Sequence, residues 1–223
     1  LERGEHGNDQ QAHQGQDDRG LGEVAHADAV GIGADAGVFK AEIGDEKADE
    51  MLDLSVQRGT LMDLEEGKIS PSDFFKRMRQ KIGKAVSDEE IVHALNELLI
   101  GIPLDRLTLL RKLRQRFNVM MLSNTNPIMF DTKIAECFAQ EGLSITDYFD
   151  DVYLSYRLKS CKPDIAIFKK VIELSRIVPQ ETLFFDDSQK NLDAAASLGF
   201  KTFLVTPDRD IVTFFNTQSI DDF

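Results

Sequence analysis

The short apolar run Leu183-Phe184-Phe185 ends on two adjacent carboxylates, Asp186 and Asp187. Two neighbouring anions repel, and the end of a buried strand is a poor place for them unless a cation sits there. Such a pair suits Mg2+, a hard ion that prefers oxygen ligands; a helix-capping Asp beside an exposed one is the plain alternative. Two further stretches have the same character. "LSNTN" places Ser123, Asn124, Thr125 and Asn126 directly after an apolar run. Small hydroxyl and amide side chains on a turn can hold a phosphate oxygen, or can simply cap the next helix. "SCKPD" places Lys162 just before Pro163 and a helical pattern. A cation there opposes the helix dipole, so its position needs another reason. An anion beside it supplies one; a solvated loop lysine is the alternative.

The segments around these groups alternate in kind. "FNVMMLS", "DDVYLS", "TLFFDD" and "KTFLVT" read as strands; "MFDTKIAECFAQEG", "KPDIAIFKKVIELS" and "QKNLDAAASLGF" read as helices. Strands alternating with helices predict a parallel, doubly wound α/β sheet covered on both faces, which binds ligands beyond the carboxyl ends of its strands. All three polar stretches fall at such ends or at a helix start. Upstream, from about residue 40, apolar residues recur at helical spacing (Met51, Leu54, Leu61, Leu64). Ser70 with Pro71 and Ser87 mark two helix starts, the second helix running to Gly101. "PLDRLTLLRKLRQRF" reads as an amphipathic helix with a solvated basic face, and His93 as a packing or surface residue.

The chain has 223 residues, a formal net charge of -13 and 42% hydrophobic residues. That balance supports a real core and argues against a nucleic-acid partner held by a basic surface. Cys137 and Cys161 make no disulfide framework, which points to a reducing, cytoplasmic compartment. No apolar stretch approaches the roughly 20 residues of a membrane span, and the N-terminus lacks the apolar core of a secretory signal.

The order and spacing of the three polar stretches resemble the haloacid dehalogenase superfamily of hydrolases. "LSNTN" resembles its second motif, Lys162 in "CKPD" its third and "FFDDSQKNLDAAASLG" its fourth, the likeness covering about residues 45–223. Within the family the chain is most similar to small sugar-phosphate phosphatases of the glucose-1-phosphate phosphatase type. The resemblance implies an α/β core over residues 106–223 with a helical cap over 40–105. It implies that Ser123 and Asn124 bind the phosphoryl group, that Lys162 neutralises it, and that Asp187, assisted by Asp186, holds Mg2+. It also implies an aspartyl-phosphate route and a small phosphorylated substrate. The dehalogenase branch uses no metal and lacks a DD pair in its fourth motif, so Asp186-Asp187 favours phosphate chemistry.

The family's first motif, a strand ending D-x-D or D-x-G-G-V, supplies the nucleophile and is not recognisable here. Residues 1–37 hold eight of the fifteen glycines and three of the four histidines, with few large aliphatics, and read as weakly structured. "RGLGEV" keeps an L-G-x-V echo with Gly20 where the Asp belongs. Asp17 and Asp18 follow no apolar strand. "GIGADAG" is a poor dinucleotide-binding turn, but its Asp35, followed by Gly37 and Val38, is the best available nucleophile candidate. Either residues 1–37 stand outside the family frame, or the protein binds phosphate without turnover. A phosphosugar mutase would need a second Asp where Gly37 stands.

Overall fold

The computed structural model describes residues 59–83 and 85–217. Asp17, Asp18, Gly20 and Asp35 lie outside the described residues. The chain first builds helices α1 (Thr60–Glu65), α2 (Pro71–Ile82) and α3 (Asp88–Asn96). The serine starts are real. Ser70 Oγ accepts from Asp73 N at 3.1 Å, and Ser87 forms a reciprocal box with Glu90, its own N–H donating to the Glu90 carboxylate at 2.7 Å. Left-handed Gly83 closes α2. Helix α3 ends at Asn96, short of Gly101, because Leu98 and Leu99 N–H turn back to the carbonyls three residues earlier and tighten the last turn.

Helix α4 (Leu104–Leu113) leads into the α/β part. Strand β1 (Met120–Ser123) is buried along its whole length, and the irregular helix after it starts at Pro127–Met129, widens to a π turn over Phe130–Ile134 and finishes at Ala135–Phe138. Strand β2 (Asp151–Leu154) runs into the short helix α5 (Ser155–Leu158), and helix α6 (Ile165–Ser175) follows. Strand β3 (Leu183–Asp186), helix α7 (Gln189–Ala196), strand β4 (Lys201–Leu204) and helix α8 (Ile211–Thr217) complete the order. Both strand pairs are parallel: β1 with β2, Ser123 opposite Leu154, and β3 with β4, Asp186 opposite Leu204. Among the described residues β1 and β3 do not pair with each other. The family's first-motif strand is expected between them, and the segment that would supply it lies outside the described residues.

The basic face of α4, read from sequence as solvated, is instead used for cross-links. Arg114 donates through Nε and Nη2 to Asp150 at 3.1 and 2.9 Å and through Nη1 to the Thr146 carbonyl at 2.7 Å. The second Asp150 oxygen takes Val119 N–H at 2.9 Å, so one half-buried carboxylate ties α4 to the entry of β1. Arg111 pairs with Glu141 at 2.8 Å. His93 is exposed beside Glu97, as expected. Cys137 and Cys161 are buried and unbridged. No helix among the described residues is long and apolar enough to cross a membrane.

The helical segment and the α/β part share one apolar cluster, with Leu64, Phe74 and Leu95 continuous with Leu110, Met121 and Phe185. The loop between α1 and α2 also touches the carboxyl end of β2. Lys159 Nζ donates to the Gly67 carbonyl at 2.7 Å, and Gly67 has φ +58°, with no room for a Cβ against the Tyr156 carbonyl and the Lys159 side chain. Gly67→Ala is therefore expected to cost about 1–3 kcal/mol, through left-handed strain and the clash with Tyr156. Urea unfolding checks this; a variant as stable as the parent would show that the loop does not depend on this contact.

Candidate active site

Lys162 and Asp186 are almost completely buried, with side chains 1% and 0% exposed and Nζ 2.8 Å from Oδ2. Burial lowers the affinity of the lysine for its proton, and the carboxylate opposes that shift. The ammonium also donates to the Leu122 carbonyl at 3.3 Å and lies 5.8 Å from the centre of the Phe184 ring. It thus spans from the end of β1 to the end of β3 and arrives next to Ser123. The sequence puts Ser123 and Lys162 39 positions apart; the fold brings them to one strand edge. The anion that justifies Lys162 before a helix is Asp186. Helix α6 is capped independently by Asp164, which accepts Ala166 N–H at 2.9 Å.

The "LSNTN" groups divide their work. Asn124 clasps the main chain of Lys162 from both sides, donating to its carbonyl at 2.9 Å and accepting its N–H at 2.8 Å. Its side chain positions the lysine, so any contact it offers a phosphate comes from its backbone. Thr125 exchanges two bonds with Ser155: its N–H donates to Oγ at 3.0 Å and its carbonyl accepts from Oγ at 2.9 Å. Asn126 is the cap of the following helix, accepting Met129 N–H at 3.0 Å. Ser123 is buried at the strand end.

The two carboxylates differ as sharply. Asp186 Oδ1 accepts Ser188 N–H at 2.8 Å and Asn191 Nδ2 at 2.9 Å, while Oδ2 takes Lys162, so both oxygens are engaged. Asp187 is exposed, yet its carboxyl is held above the usual range, first by loss of water and then by the neighbouring Asp186 charge. A cation would relieve both. The described residues contain no cluster of three or more His, Cys, Asp or Glu side chains that could hold a metal alone. The oxygen-only donor set fits Mg2+ as one carboxylate of a site completed by phosphate, water or residues outside the described region.

Sequence reading passed over Glu65. It ends α1, just before the Gly67 contact with the β2 edge, and is partly open to solvent. Enclosure by protein pushes its carboxyl up to about 7, with Glu66 adding to the rise. The Cys161 thiol, beside Lys162 in the chain, is pushed up to about 12, first by burial and next by Glu65. The only sequence signal was its place in "LEEGK", a charge pair before a glycine that reads equally as a solvated turn.

A parallel α/β core with Ser, Lys and paired Asp at its strand ends, overlaid by helices, defines a class of enzymes that handle anionic groups. A family model for haloacid dehalogenase-like hydrolases matches residues 21–199, and the chain belongs to that family. It is 37% identical over 162 residues, 73% of this chain and 79% of the relative, to the D-ribitol-5-phosphate phosphatase of Bacteroides thetaiotaomicron. A family enzyme from the same organism, solved with magnesium and inorganic phosphate, superposes with a TM-score of 0.76 at 33% identity, covering 88% of this chain and all of the other. A variant of that enzyme with an aspartate replaced by alanine, also solved with magnesium and phosphate, superposes at 0.77 with 34% identity, again over 88% and 100%.

Two stability measurements test the site. Lys162→Met strands a buried carboxylate and is expected to cost about 3–5 kcal/mol in urea unfolding, part of it regained by adding Asp186→Asn. A loss below ~1 kcal/mol would mean that the pair does not hold the strand ends. Glu65 has a folded value above its unfolded one of 4.5. The folded state therefore binds the extra proton, and stability falls as pH rises from 4.5 to about 7. Glu65→Gln should match the parent at pH 4 and exceed it at pH 8; equal unfolding midpoints at pH 8 would contradict this.

Proposed function

We propose that the protein is a Mg2+-dependent phosphatase pocket for a small phosphorylated metabolite of the sugar or polyol phosphate class. The observation that carries this is the buried Lys162–Asp186 pair beside Ser123 and Asp187, at the strand edge where an anion would dock. The relatives support the reading: one is named as a phosphatase of D-ribitol 5-phosphate, and a structural neighbour holds magnesium with phosphate.

Each residue then has a task. Ser123 donates to a phosphoryl oxygen from the end of β1. Lys162, fixed by Asn124 and Asp186, presents positive charge in a dry environment where it counts for more than in water. Asp187 would hold Mg2+, which supplies charge neutralisation on the phosphoryl oxygens when bound. Asp186 keeps the lysine ionised and aimed. Hydrolysis by the family route needs a carboxylate oxygen to attack phosphorus while the ester P–O bond breaks, and water then to cleave the acyl phosphate. Asp186 is engaged by Lys162 and Asp187 is assigned to the cation, so the nucleophile must come from the segment outside the described residues. The first-motif strand with its nucleophilic Asp is not recognisable in residues 1–37, which favours a second reading: a chain that binds phosphate and Mg2+ without rapid turnover. The neighbour that holds both ligands despite losing an aspartate is consistent with such binding.

Phosphate release from a panel of sugar and polyol phosphates distinguishes the two readings. The chain should turn over slowly, and a version carrying an apolar strand ending in D-x-G-G-V before residue 38 should be at least about a hundredfold faster. Rapid turnover by the original chain that Asp35→Asn abolishes would make Asp35 the nucleophile. Mg2+ titration should show a loss of affinity in Asp187→Asn, and equal affinities would remove Asp187 from the metal site.

A further inference from the structure

We infer that Ser155 is a positioning residue: its hydroxyl clamps the main chain of the loop after β1, so that Ser123 and the Asn124 backbone are held in place for a phosphoryl group. The inference rests on the phosphate-pocket reading above and adds a residue to it.

In the β1–β2 pair Ser123 stands opposite Leu154, so Asn124 and Ser155 leave the two strands at the same edge. The ladder ends there. Thr125, two residues beyond β1, is buried, and a buried main-chain N–H and C=O must find partners. One hydroxyl supplies both. Ser155 Oγ, on a residue 0% exposed, accepts the Thr125 N–H at 3.0 Å and donates to the Thr125 carbonyl at 2.9 Å. A hydroxyl suits this task because it is donor and acceptor at once. An alanine would leave both main-chain groups unmet.

Three ties then fix the loop. The β1 ladder holds Ser123, Ser155 holds Thr125, and the Asn126 side chain caps Met129 N–H at 3.0 Å. Asn124, between them, spends its side chain on the Lys162 main chain at 2.9 and 2.8 Å. The loop after β1 and the segment 155–162 after β2 are thus clasped twice in opposite senses. Asn124 of the first grips Lys162 of the second, and Ser155 of the second grips Thr125 of the first. Ser123 and Lys162, the groups given to the phosphate, are therefore held as one unit. Placement of such groups matters: an error of about 1 Å costs on the order of a hundredfold. Asp186 and Asp187 stand at the end of β3 in the other strand pair, and the partners of Asp186 are Lys162, Ser188 and Asn191. Loss of the Ser155 hydroxyl therefore loosens the phosphate side of the site and spares the cation side. A general loss of stability would not split the two.

Calorimetric titrations of the full chain, Ser155→Ala, Ser155→Cys and Ser87→Ala test this. Each protein is titrated with Mg2+ alone, then with inorganic phosphate at saturating Mg2+. Ser87→Ala is the stability control, since it loses the cap of α3 instead. Ser155→Ala should bind phosphate at least about tenfold more weakly than the parent, with Mg2+ affinity unchanged. Ser155→Cys, close in size but a weaker hydrogen-bonding group, should fall between them, and Ser87→Ala should match the parent for both ligands. Parent-like phosphate affinity in Ser155→Ala would overturn the inference. So would an equal loss for Mg2+ and phosphate, or an equal phosphate loss in Ser87→Ala, either of which would make Ser155 a prop of the fold. If Ser155→Ala does not fold, Ser155→Cys decides by the same split: a loss confined to phosphate supports the inference, and parent-like phosphate affinity overturns it. A parent chain that fails to bind either ligand would instead overturn the pocket reading, and this inference with it.

Discussion

A lysine and an aspartate, both stripped of water and 2.8 Å apart, hold the strand edge of this protein together. Taking two such charges out of water costs several kcal/mol each, and their attraction offsets the cost only if the remaining hydrogen-bonding capacity is met. Here it is met. Leu122 carbonyl takes the ammonium, while Ser188 N–H and the Asn191 amide take the other carboxylate oxygen. The bonds come from β1, β3 and α7, so one ion pair ties together strands that do not pair with each other among the described residues. The Asn124 clasp on the Lys162 main chain makes the arrangement stiff.

The pair also decides what is left for chemistry. With Asp186 engaged by Lys162, Asp187 is left beside it, and loss of water first and the Asp186 charge second raise its affinity for a proton. Environment thus divides the DD pair: Asp186 is neutralised from within the protein, while Asp187 is exposed with its carboxyl raised above the usual range.

The chain belongs to the haloacid dehalogenase-like hydrolases, and its polar stretches fall at the carboxyl ends of parallel strands, where open α/β sheets bind ligands. The departure lies upstream, where residues 1–37 carry no recognisable apolar strand ending in D-x-D or D-x-G-G-V.

Much of this was legible in the chain. Short, largely apolar strand runs bounded by turn residues, helices begun by Ser70 and Ser87, and the three polar stretches at strand ends are local signals. They were readable because each depends on periodicity or capping within a few residues. The family resemblance rested on the same short stretches. What the sequence could not show is who pairs with whom. That Asn124 turns to the Lys162 backbone, that Arg114 binds Asp150 rather than water, and that Asp186 rather than a ligand anchors Lys162 are contacts across 24 to 38 positions. The pair Glu65-Glu66 before a glycine reads as a solvated turn; the docking of Gly67 against Tyr156 and Lys159 fixes that turn on the α/β part. Residue type and spacing determined which groups could do phosphate chemistry. Tertiary structure decided which of them are consumed in holding the site and which remain free to act, because burial and long-range pairing, not residue type, set the energy of a charge.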